Sequence, residues 1–85
     1  MYYKVKYCMN KISQNETVEY TSTSVKYISN SWPEECCVSC YYNTDCIIWQ
    51  MHRTNKMCTL VLKGSYVTAV NKNFISGVKP KLLFI

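Results

Sequence analysis

Five of the six cysteines lie between Cys36 and Cys58, a density and spacing that admit three chemistries. Cys37-Val38-Ser39-Cys40 is a C-x-x-C, and Cys46 with Cys58 could complete four thiolates around zinc. Eleven residues separate Cys46 from Cys58, however, and zinc sites favour two to four. Such a site would also leave Cys8 and Cys36 unused. A redox role for the C-x-x-C lacks the surrounding βαβ pattern, and neighbouring thiols would compete with it. A cysteine nucleophile would need a free thiol beside His52, the sole histidine, and an even number of cysteines argues for pairing instead. Glu34 and Glu35 are adjacent, and a helix start explains them better than an acid/base pair does. Two glycines cannot build a phosphate-cradling loop. The expectation is a non-catalytic chain without metal or cofactor, whose sulfur is structural.

The elements that must position this sulfur can be read locally. Ser31 followed by Glu34 reads as a capping box, with Pro33 in the first turn and Glu34 and Glu35 at the positive end of the helix dipole. This predicts a helix over about 32–42, ending at Asn43 in the left-handed conformation. Cys36 and Cys40 share one face of it, and Cys37 lies about 100° away. Ile47, Trp49 and Met51 then alternate with Cys46, Ile48, Gln50 and His52, as in a buried strand. The turn Arg53-Thr54-Asn55-Lys56 leads to a second strand with Cys58, Leu60 and Leu62 on one side. A central hairpin over about 46–62 follows.

Outside this unit the signals are weaker. Residues 2–9 alternate as a half-exposed strand, with Cys8 on its lysine side, and residues 10–16 read as a polar loop. Asn15-Glu16-Thr17 is an N-glycosylation sequon. Val18-Glu19-Tyr20 and Val25-Lys26-Tyr27-Ile28 are short strands around an exposed Thr/Ser loop. Tyr66 to Val70 is β-prone, Asn71-Lys72-Asn73 reads as a turn, and Phe74 to Val78 as a strand whose Gly77 admits a close neighbour. The apolar residues Leu82 to Ile85 either pair beside the first strand or lead into a longer chain.

Glu35-Cys36-Cys37-x-x-Cys40, then Cys46, Trp49 three residues later, Cys58-Thr59-Leu60 and Ser76-Gly77-Val78-Lys79 together resemble the PAN/apple domain family. The resemblance implies a single α+β domain over 1–85: a small disulfide-rich antiparallel β-sheet wrapped around one α-helix, in extracellular adhesive or ligand-binding proteins. It implies the pairs Cys40–Cys46 and Cys36–Cys58, which leaves Cys8–Cys37. The last pair departs from apple domains whose first cysteine bonds one near the C-terminus, because no cysteine follows Cys58 here.

At 85 residues the chain buries little apolar surface, and disulfides would supply the stability it lacks. Such cysteine density fits an oxidising compartment. Residues 1–20 interleave charge where a signal peptide needs an apolar core, so the expectation is a segment of a longer secreted or ectodomain chain. No run approaches a membrane span in length. The net charge of +5 is uneven: all five acids precede residue 46, and only bases follow it. Singly spread lysines are ordinarily solubilising, yet the asymmetry also suits an anionic partner, with nucleic acid not indicated. The expected ligand is a carbohydrate, acidic glycans above all, with His52, Arg53, Lys56, Lys63 and Lys72 as donors and Tyr66 as a platform. A protein–protein or anti-haemostatic inhibitor surface on the same fold is the alternative, and a structural spacer a third.

Overall fold

The computed structural model describes residues 12–21 and 24–79. The expected strand at 2–9, Cys8 and the apolar residues 82–85 lie outside the described residues. Five strands and one helix are defined: β1 (Ser13–Tyr20), β2 (Val25–Ile28), α1 (Pro33–Tyr42), β3 (Ile48–His52), β4 (Cys58–Val61) and β5 (Tyr66–Val78). All pairings are antiparallel, in the order β1-β5-β3-β4-β2. This is a small disulfide-rich α+β fold.

Alternation along β3 and β4 builds two cores. Trp49, Met51, Leu60 and Ile75 point to one side, where α1 presents Cys36, Cys37 and Cys40. Trp49 is fully buried there, and Gly77 on the adjacent strand makes room for it: a Cβ at Gly77 would lie 2.9 Å from the indole. Cys36–Cys58 pins the helix to β4, and Cys40–Cys46 closes the segment from the helix to β3. Cys37 is likewise disulfide-bonded. Lys79 donates from Nζ to the Asn43 carbonyl at the helix C-terminus, where a cation is favoured.

The opposite side is covered by the chain doubling back. Gln50 lies beside Ser76, which lies beside Ser13 on β1. Yet the Gln50 Oε1 accepts from the amide of Val18, 2.9 Å away, and from the Thr17 hydroxyl at 2.8 Å. A straight strand would carry Val18 about 17 Å past Ser13. The β1–β5 ribbon therefore folds over the sheet, and Val18 packs on Ile48 and Val61. The fold-back occurs where Gln14 pairs Ile75 but Glu16 already pairs Val70, so Asn15 alone faces residues 71–74 of β5. Asn15 takes a φ of 59°, a left-handed conformation that asparagine tolerates.

Four local expectations are corrected. Residues 13–16, expected as loop, are strand, because β5 supplies backbone partners that their polar side chains do not reveal. The turn expected at 71–73 is a bend inside a continuous β5, with the Asn73 amide bonded to the Asn71 side chain. The capping glutamate is Glu35, which accepts from the Trp32 amide at 2.9 Å; the Ser31 hydroxyl donates instead to the Ile28 carbonyl. Asn43 is extended rather than left-handed, its amide reaching the Ser39 and Cys40 carbonyls.

Candidate binding surface at the bend of the sheet

The fold-back gathers polar groups at one end of the molecule. Arg53 opens the β3–β4 turn, and its backbone amide donates to the Asn73 carbonyl in the bend of β5. Its guanidinium reaches the other way, donating from Nη2 to the Gln14 Oε1 at 2.8 Å and the Asn15 Oδ1 at 3.1 Å. Both acceptors are neutral amides. Among the described residues no carboxylate pairs with Arg53, so its charge is positioned without being neutralised. Lys72 and Asn15 line one surface concavity with Val70, Asn71 and Asn73.

His52 shapes this end from within. Its Nδ1 accepts from the amides of Thr54 and Asn55, and its ring meets Phe74 edge-on at 4.9 Å. The backbone closes the same turn: His52 N–H donates to the Met57 carbonyl, and Lys56 N–H to that of His52. These contacts give His52 a structural part in holding Arg53 in place. Lys56 extends its ammonium over the Trp32 ring, 3.8 Å from the centroid. Trp32 is 55 % exposed, so the pair forms a second, amphipathic patch beside the turn.

The structure divides the six expected ligand residues. His52, Arg53, Lys56 and Lys72 gather around the β3–β4 turn and the bend of β5. Lys63 and Tyr66 follow β4 at the other end of the central hairpin, about 13 Å away by the rise along β3. Tyr66 pairs with Tyr20, packs onto the Val18 core, and shares its concavity with Glu19, an unsuitable neighbour for an anion. Burial pushes the Tyr20 phenol above its ordinary pKa, and a hydrogen bond with Tyr27 adds to this. Sequence reasoning missed Gln14 and Asn15 as partners of Arg53. Asn15 was visible only as a sequon, because the contact spans 38 residues.

The remaining chemistry is constrained by oxidation. Cys36, Cys40, Cys46 and Cys58 are spent in disulfides and cannot act as thiolates. Among the described residues no helix is long and apolar enough to cross a membrane. No protein-family model matches the chain, and a search of curated proteins gives no match.

Proposed function

We propose that this chain is a PAN/apple-like, non-catalytic binding module of an extracellular protein, and that it captures acidic glycans at the bend of its sheet. Two disulfides support the oxidising setting. The observation that carries the ligand class is Arg53. It is held by two amide oxygens with no carboxylate partner among the described residues, and Lys72 stands in the adjoining concavity. A planar donor fork fixed in this way suits a carboxylate or sulfate, while neighbouring asparagine amides suit sugar hydroxyls. Trp32, with Lys56 above it, takes the platform role first expected of Tyr66.

The test is calorimetric titration of the disulfide-intact protein with a sulfated hexasaccharide. Binding that weakens with added salt and falls about tenfold or more in Arg53→Ala with Lys56→Ala is expected. Affinity indifferent to both changes overturns the ligand assignment. A protein partner is the second reading, favoured by exposed Tyr27 and Trp32. It would show as salt-insensitive capture that competing glycans do not displace.

A further inference from the structure

The sequon and the arginine receptor occupy the same place. The Asn15 Oδ1 accepts from Arg53 at 3.1 Å, and Asn15 lines the concavity that contains Lys72. We propose that N-glycosylation at Asn15 and capture of an acidic ligand at Arg53 exclude one another, so that each molecule is made either as a binder or as a masked form. This rests on the anion-receptor reading above.

The chemistry follows from the amide. Arg53 engages the oxygen of Asn15, leaving Nδ2 as the attachment atom. Attachment joins Nδ2 to the anomeric carbon of a lipid-linked oligosaccharide; the amide nitrogen gives up one proton and the lipid diphosphate departs. The carbonyl oxygen survives, so the fold loses no contact. The first sugar, however, is then bonded to an amide already in hydrogen-bond reach of the guanidinium. Val70 is 92 % exposed in the same concavity and offers that sugar an apolar seat.

The folded chain also fixes the timing. The hydroxyl of Thr17, which completes the sequon, donates to Gln50, and the next amide donates to the same oxygen. The tripeptide is thus tied into the ribbon once folding is complete. Attachment must precede folding, and the two forms do not interconvert afterwards.

Arg53 is the sole arginine, which gives the test a readout independent of any ligand. The protein is secreted from a glycosylating host, its glycosylated and unglycosylated forms are separated by mass, and the same chain is also produced in a host that attaches no sugar. Each is titrated with the sulfated hexasaccharide and treated with phenylglyoxal, which adds to arginine. The glycosylated form is expected to bind about tenfold or more weakly and to react several-fold more slowly than either unglycosylated preparation. Equal reactivity and affinity across the forms overturns the proposal, as does a secreted chain bearing no sugar at Asn15. Slowed Arg53 modification in a protein that binds no sulfated sugar in any form supports the masking but overturns the acidic-glycan reading.

Discussion

On the helix side of β3 and β4, Trp49, Met51 and Leu60 meet sulfur and carbon, whereas on the ribbon side the same strands add Thr59 and Gln50, beside Ser76 of β5, to the smaller apolar cluster of Ile48, Val61 and Val18. The first interface is apolar and covalently pinned. The second is directional: Gln50 receives Thr17 and Val18, and the Ser76 hydroxyl donates to Glu16 at 3.0 Å. Apolar packing and the disulfides fix the register of β3 and β4 under the helix, since a slip of one residue would turn Trp49 and Leu60 out of the core. A buried amide has few satisfactory partners, so it specifies where the ribbon doubles back. The helix side holds the molecule together, and the polar side determines where Arg53 sits.

The contrast is broken most forcefully at Trp49. Trp49→Ala is expected to cost about 3–5 kcal/mol in urea unfolding, since it empties a fully buried site. Next is the paired change Cys36→Ala with Cys58→Ala, whose bridge spans 22 residues; loop closure assigns it about 3 kcal/mol. The Cys40–Cys46 bridge spans only 6 residues and should contribute about 2 kcal/mol, so the order of the two thermal midpoints checks the entropic account.

Gln50→Leu probes the polar side. It strands the Val18 amide and should cost about 1–3 kcal/mol, with hydrogen exchange quickening at Val18 more than at Trp49. Equal quickening on both sides would erase the distinction drawn here. The smallest effect is alkaline. Because folding raises the Tyr20 pKa, the folded state holds this proton more tightly than the unfolded chain. Its contribution is complete below about pH 10 and is lost as pH rises through the folded value, which Tyr20→Phe should abolish in alkaline melts.

Legibility in the sequence divides along the same line. The helix, the hairpin and the close approach at Gly77 follow from local signals: Pro33 with two glutamates, strict alternation around Trp49, and a glycine inside a strand. The disulfide pairs came from a family resemblance, since spacing alone left several open. The fold-back was not legible, because residues 13–16 are polar and their strand character comes from β5, more than fifty residues away. The capping register was misread by one because Ser31, though a favourable cap by type, is turned towards Ile28. Arg53 and Lys72 could be named as donors from charge, but only the bend brings them together.

The bridge between Cys36 and Cys58 spans the exposed β3–β4 turn, where Arg53 and Lys56 are the natural points for a trypsin-like protease. A cut after either one severs the backbone yet frees no fragment, because sulfur still joins the two pieces. The nicked molecule keeps its size until a reductant arrives, so in a protease-rich setting this loop can be opened without the module being shed.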